Sequence, residues 1–435
     1  VSSARGRDRR VYLGSHPVLF ALLAASRRWP TVRIGRTVLV HDRDAYLAAL
    51  TRIPLDRTAE GTTGGAVDRL AGAGGLFDQQ GAEHRRARRD VADGLGVAGV
   101  DRLRPGWIKL IDERLAPLGN GGSVDLVPLA AEIAGSTAAA LLGLELDPLV
   151  LAAAAQEAGA TAARAHLPGI RRRRAAREAE LAAERLLELV GGGTIEDRPA
   201  GDGQIGHGPT GDGPTGHGPI AGGQIGDGPT GDTLGGDGPT GDGPAGGALG
   251  GGGPAGGALG GGGPAGGGPG GGGPAGGGLA ATLAVAAVNT TVAALPRAAA
   301  WACADGALWA YAREPALADE LLRVTSPTPL LPRVAAGGGD LGRCPVRAGD
   351  RMLLVARHAA DAHHRDPDPD RPAPARTAQL VFGAGPHACP GARLARLQLG
   401  DFLAALAPHR PVVVRARVDR RSALPGWRSL IVRAA

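Results

Sequence analysis

The stretch Phe382-Gly-Ala-Gly-Pro-His387-Ala-Cys389-Pro-Gly391 places a cysteine behind two glycines and ahead of a helix-forming run. The glycines permit backbone shapes closed to other residues and let a large flat group come close. Backbone N–H groups at the helix mouth favour thiolate over thiol. A thiolate on such a loop is poised to hold a soft metal centre, while the plainer reading is a glycine turn before a helix with a buried thiol. The other cysteines are Cys303 and Cys344. An odd, sparse set is no disulfide framework and fits a reducing compartment.

Three further groups could do chemistry. Glu320 and Arg323 stand three residues apart, so on a helix they share a face and can pair. His84 and Arg88 lie one turn apart on a basic run, Gly81 to Leu95, and could both donate to an anionic group. Asn289-Thr290-Thr291 interrupts an apolar run. A threonine there can bond a carbonyl one turn back and open a groove, or simply satisfy its own helix.

Helices must position most of these residues. Val40 to Leu50 starts near Asp42, Asp101 to Leu118 is amphipathic, and Pro128 to Leu142 is small-residue-rich and apolar, as for a buried helix. Ser123 to Val127 reads as a short strand. Ile170 to Leu189 is charged outside and Leu-lined inside. Leu279 to Leu295 is almost uniformly apolar and should be central, with Pro296 kinking or ending it before a second helix to Ala304. Short strands and turns are expected over Pro327 to Val355, a Pro-rich meander over Asp366 to Pro374, and a last long helix over Gly391 to Leu406.

In this order the segments resemble the cytochrome P-450 family. The cysteine stretch, extended through Leu394-Ala-Arg396, is similar to its haem-binding signature, Glu320-Leu-Leu-Arg323 to its Glu-x-x-Arg pair, and Ala286-Ala-Val-Asn289-Thr290-Thr291 to its oxygen-activation segment. Gly81 to Arg89 resembles its His-x-x-x-Arg helix, and Ala360 to Pro367 its Asn-Arg-Asp-Pro segment with His364 in place of Asn. The His363-His364 pair has no further ligand at a suitable spacing, so a metal site there is set aside.

The resemblance implies a mainly α (α+β) fold: a large helical domain with small β-sheet regions and haem b between the central helix and the cysteine-ligand helix. Cys389 would ligate the iron and Phe382 shield the sulfur, with His387, His84, Arg88 and Arg333 on the propionates. Arg371 would join Glu320 and Arg323 in a buried structural network. Thr290, with Thr291 and Asn289 beside it, would handle protons and oxygen. Asn289 departs from the family's acid, since an amide can order water but cannot give up and recover a proton at neutral pH. The implied activity is a monooxygenase that inserts one atom of dioxygen into a small organic substrate. Its electrons would come from a ferredoxin- or flavodoxin-type donor with an NAD(P)H-dependent reductase. The alternatives are a peroxide-driven or coupling or dehydrating enzyme, and a non-catalytic or degenerate haem binder.

Composition sets the remaining bounds. A net charge of +6 comes without an aromatic-basic stripe, so nucleic acid is not the expected partner; exposed arginines such as Arg85, Arg86 and Arg89 suit an acidic donor protein. The apolar stretch His16 to Ala25 is too short to span a bilayer, and a cytoplasmic monomer off the membrane is expected. Residues 191–278 are nearly all Gly, Pro, Asp, Thr and Ala. They have almost nothing to bury against the entropy of ordering, so the segment reads as a disordered insertion in one domain made of residues 1–190 and 279–435.

Overall fold

Short polar side chains start several helices by answering the first free backbone N–H groups. Ser3 accepts from Gly6 N at the head of α1 (Ala4–Ser15), and Asp42 from Asp44 N and Ala45 N at α3 (Arg43–Thr51). Asp125 accepts from Val127 N at α5 (Leu126–Leu142). The computed structural model describes residues 3–56, 58–60, 62, 94–166, 172–192, 274–385 and 388–435. They belong to one compact unit, Val1–Asp197 with Gly271–Ala435, while Arg198–Gly270 forms a second unit outside the described residues.

The other helices are α2 (Pro17–Ser26), α4 (Val97–Gly119), α6 (Pro148–His166), α7 (Arg172–Gly192), α8 (Pro274–Ala304), α9 (Pro315–Thr325), the short α10 (Ala356–Ala359) and α11 (Ala375–Ala378), and α12 (Ala392–Leu406). A five-stranded sheet joins β1 (Thr31–Ile34), β2 (Thr37–Val40), β8 (Arg351–Leu354), β5 (Leu331–Ala335) and β3 (Leu55–Asp56) in that spatial order, with β2 and β8 parallel. A second sheet orders β4 (Ser123–Asp125), β10 (Gly426–Arg433) and β9 (Val412–Asp419), and β6 (Gly339–Leu341) pairs with β7 (Cys344–Val346). Helices with small peripheral sheets are the expected mainly α fold.

Several boundaries differ from the sequence expectation. Val40 ends β2, and Asp42 then caps α3. The Ser123 strand stops at Asp125, because that side chain caps the helix that follows. Helix α8 runs through Pro296 without ending. One missing N–H does not break a helix whose walls are supplied by its neighbours. Helices α7 and α8 also reach into both ends of the expected insertion, to Gly192 and from Pro274; the interior of that segment lies outside the described residues. The Ala-rich α6 had no expectation attached to it.

Helix α8 is the axis of the unit. By length and composition it is the one described helix that could cross a membrane, yet it is apolar because α5, α6 and α7 wrap it on one side and α1, α12 and β10 on the other. One core joins Trp107, Ile111, Leu126, Ile133, Trp301, Phe402 and Leu430; another is nearly all small, with Ala134, Ala138, Ala155, Ala158 and Ala284 where α5, α6 and α8 meet. Alanine lets these helices approach closely, which an aromatic content of 3 % makes the available packing solution.

A buried charge cluster fastens α1 to this axis. The Asp8 carboxylate accepts from Arg297 Nε and Nη2 at 3.0 and 2.7 Å and from Arg357 Nη2 at 2.7 Å. Arg357 also donates to Val324 O and lies over the Tyr12 ring. Burial alone would raise the Asp8 pKa, but Arg297 and Arg357 together overcome it and hold the carboxyl below its ordinary range. Replacing Asp8 by Ala strands two buried guanidiniums, so the expected loss in urea unfolding is about 3–5 kcal/mol. Because the folded pKa is the lower one, the wild-type contribution is complete above about pH 3.9 and is lost as pH falls through the folded value. The gap between wild type and D8A should therefore be constant near neutrality and close only in strong acid.

Candidate active site

The cysteine loop is a closed turn. Gly383 and Gly385 take φ of +77° and +73°, the left-handed region that a Cβ disfavours. Cys389 N donates to Phe382 O at 2.8 Å and Ala388 N to Gly385 O at 3.1 Å, so the loop folds back on its own start. Cys389 is exposed, joins no disulfide, and stands two residues before Gly391, the N-cap of α12. A Cβ added at Gly391 would touch its sulfur at 3.8 Å, an ordinary contact, so the glycine leaves the thiol uncovered.

Neighbouring elements hold the loop from three sides. Arg396, one turn into α12, sets its guanidinium 4.7 Å from the centre of the Phe382 ring and pairs with Asp319 of α9. Tyr46 of α3 donates its hydroxyl to Leu380 O at 3.1 Å. Helix α12 is itself fixed to α4 by Asp401, which takes Arg104 through two bonds of 2.9 and 2.7 Å and the Trp107 indole N–H at 2.9 Å. Arg333, on β5, lies near Tyr46, and burial pulls its guanidinium below its ordinary range with the Tyr46 phenol acting against that. Positive charge is thereby carried into the interior close to the loop.

Glu320 and Arg323 are wholly buried on α9 and meet through two bonds, Nε to Oε1 at 2.9 Å and Nη2 to Oε2 at 2.7 Å. Glu320 also accepts from Asp368 N and Ala373 N, and Arg323 donates to the carbonyls of Ala360, Asp361, Arg365 and Asp366. Burial by itself would raise the Glu320 pKa; Arg323 and the two backbone N–H groups outweigh it, and the net shift is downward. Arg371 is not the third member. Its side chain is 86 % exposed and pairs with Asp368. The meander is held through its backbone, which fills the acceptor positions on Glu320 where a second guanidinium would have to sit.

On α8, Thr290 Oγ1 donates to Ala286 O at 2.7 Å, the expected bond one turn back. Asn289 departs from expectation. Its Nδ2 donates to Val285 O at 2.9 Å and across to Ala155 O of α6 at 3.0 Å. Two carbonyl acceptors fix which end of the amide is nitrogen. The crossing is tight, since a Cβ at Gly159 would come within 2.7 Å of Nδ2. Asn289 is therefore a clamp between helices rather than an orderer of water. Thr291 is half-buried beside it. His84, Arg88 and His387 lie outside the described residues.

The family model described as Cytochrome P450 matches residues 315–409, the span from α9 through the cysteine loop and α12. The chain is 39 % identical over 93 residues to erythromycin C-12 hydroxylase of Saccharopolyspora erythraea and 36 % over 105 residues to mycocyclosin synthase of Mycobacterium tuberculosis. These alignments take in 20 % and 23 % of this chain and 23 % and 26 % of the relatives, so the sequence likeness spans about a quarter of their length. The fold likeness is wider. P450BioI in complex with an acyl-ligated acyl carrier protein superposes with a TM-score of 0.65 at 16 % identity, over 97 % of this chain and 100 % of that one. Mycinamicin VIII C21 methyl hydroxylase from Micromonospora griseorubida gives 0.61 at 20 % identity, over 94 % and 95 %. Residues 315–409 carry the pattern of the cytochrome P450 family, and the fold of the chain is that of cytochrome P450s.

Haem b is the cofactor of P450s, and the donor chemistry here suits it: an exposed thiol at a helix entrance for iron, and the half-buried Arg333 on β5 for an anionic edge. Arg396 was legible as part of the cysteine motif, though not its place over the Phe382 ring; Tyr46 and the Ala155 carbonyl were not. Tyr46 acts across a long sequence separation that leaves no local pattern, and only Gly159, a glycine inside an alanine run, marks the α6–α8 crossing. The crossing makes a prediction. Asn289→Asp, which restores the acid of the family pattern, sets a carboxylate against two carbonyl oxygens. It should lower stability by about 1–3 kcal/mol at pH 8, with part of the loss recovered near pH 5 as the carboxyl protonates. Thermal unfolding at the two pH values is the check.

Proposed function

We propose that this protein is a cytochrome P450, a haem-thiolate monooxygenase that inserts one oxygen atom from dioxygen into a small organic substrate. Cys389 carries the reading: an exposed thiol on a glycine loop closed by its own backbone, at the entrance of α12. Bound haem would supply the activation of dioxygen, which a thiolate ligand favours. Cys389 Sγ would hold the iron, with Phe382, held under Arg396, on the same loop. His84, Arg88, His387 and Arg333 would bind the propionates. Thr290 rests its proton on the Ala286 carbonyl and can turn it toward the groove beside α8. Glu320 and Arg323 are structural and keep the meander and loop in place. Hydroxylation in the names of two relatives supports the reaction type. Electrons come from a ferredoxin- or flavodoxin-type protein with its NAD(P)H-dependent reductase, in the cytoplasm, and the segment at residues 191–278 is an insertion within the catalytic domain.

A second reading rests on Asn289. With both amide hydrogens given to carbonyls, the residue before Thr290 has none left for a proton relay. That favours a peroxide-driven or coupling enzyme, which needs no such relay. Product formed with hydrogen peroxide alone, and none with ferredoxin, reductase and NADPH, would select it.

For the first reading, the reduced CO-bound protein should show the red-shifted Soret band of thiolate-ligated iron, and Cys389→Ala should abolish it. A shifted band that survives in C389A would overturn the assignment. Thr290→Ala should bind haem normally yet form product roughly 10²-fold more slowly, the usual scale for removing a proton-transfer group.

A further inference from the structure

Outside the haem region, one turn gathers metal-ligating side chains. Asp361, His363 and His364 follow α10, and their ligand atoms all lie within 4.8 Å of one another. Neighbouring ligands of a tetrahedral zinc site stand roughly 3.3 Å apart, given bonds of about 2.0–2.1 Å. Asp361 and His364 are exposed, so their side chains can close the remaining distance without disturbing the core. The third ligand escaped the sequence reading because it stands two residues before the pair, closer than metal-site spacings usually run.

The backbone under these side chains is held from both sides. Arg323 donates to the carbonyls of Ala360, Asp361, Arg365 and Asp366. Arg5 of α1 donates to the carbonyls of His363 and His364 and pairs with Asp366. Asp361 itself takes φ of +57°, a left-handed conformation for a residue with a Cβ. Two guanidiniums thus fix a turn that three potential ligands share, which is how a first coordination shell is preorganised. The imidazole of His363 has a buried Nδ1 that makes no hydrogen bond among the described residues. A buried ring nitrogen without a partner is costly unless something takes it up. The positive charges that face His363 are Arg27, Arg357 and Arg5, of which Arg5 pairs with Asp366 and Arg357 with Asp8.

We propose that Asp361, His363 and His364 form a binding site for a divalent transition ion, zinc above all, with water completing the coordination. Two imidazoles and one carboxylate are the donors such an ion prefers, and magnesium, which demands more oxygen ligands, should be ignored. The site sits on the outer side of the turn that Arg323 grips from within. An ion there would brace the turn that follows α10.

The test uses the full-length, haem-loaded protein, stripped with a chelator and titrated with zinc chloride by calorimetry. Cys344→Ser serves as the background, so that a half-buried thiol cannot supply the binding. One equivalent of zinc should bind, His364→Ala and Asp361→Asn should each weaken it at least tenfold, and magnesium should give no heat. Zinc should also raise the melting temperature of the parent but not of the two variants. Both substituted side chains are exposed, so their folding is not at stake, and a matching haem spectrum verifies it. Absence of binding at 100-fold excess zinc, or affinity unchanged in both variants, overturns the proposal.

Discussion

A fully buried carboxylate and guanidinium are tolerable only if every lone pair and every N–H they carry is answered, because each ion has lost several kcal/mol of hydration. Glu320 and Arg323 meet that demand by recruiting backbone from far along the chain. Glu320 reaches the amides of Asp368 and Ala373, and Arg323 reaches four carbonyls between Ala360 and Asp366. The irregular stretch from α10 through the meander has little apolar surface of its own to bury. It keeps one shape because it is the solvation shell of this pair. The cysteine loop inherits that shape, since α11 and the 3₁₀ turn ending at Phe382 follow directly from the meander.

The opposite wall follows a different rule. Helix α8 meets α5 and α6 largely through alanine, and Thr290 and Asn289 are satisfied within the helix or one neighbour away. Small residues bring backbones close, and closeness lets the Asn289 amide span from its own helix to Ala155. The cysteine side thus rests on buried charged groups, and the α8 side on alanine packing with one amide bridge.

Much of this was legible in the sequence because the relevant signals are local. The glycines at 383 and 385, the cysteine and the helix after it occur within one short run, and their backbone demands point to one loop. Glu320 and Arg323 declare a shared helix face by spacing alone. Long-range pairing was not legible. Arg371 stood at the expected place in sequence yet pairs with Asp368, because the choice depends on which backbone amides fill Glu320. The cluster of Asp8, Arg297 and Arg357 joins positions hundreds of residues apart, and among so many arginines nothing marks those two. Of the two outcomes expected at Pro296, a kink or an end, the helix does not end there, because its neighbours pack along it.

Asn289 is where the two walls meet the chemistry. A carboxylate at that position could exchange protons, but it could not donate to Ala155 O and Val285 O, and two carbonyls would oppose its charge. An amide answers both carbonyls and closes the α6–α8 crossing at the point where Gly159 leaves room for nothing larger. At this crossing the demands of packing and of proton delivery are incompatible, and the residue present satisfies packing. If Thr290 delivers a proton as proposed, it must first give up its bond to Ala286 O, and the amide beside it offers no acid in exchange.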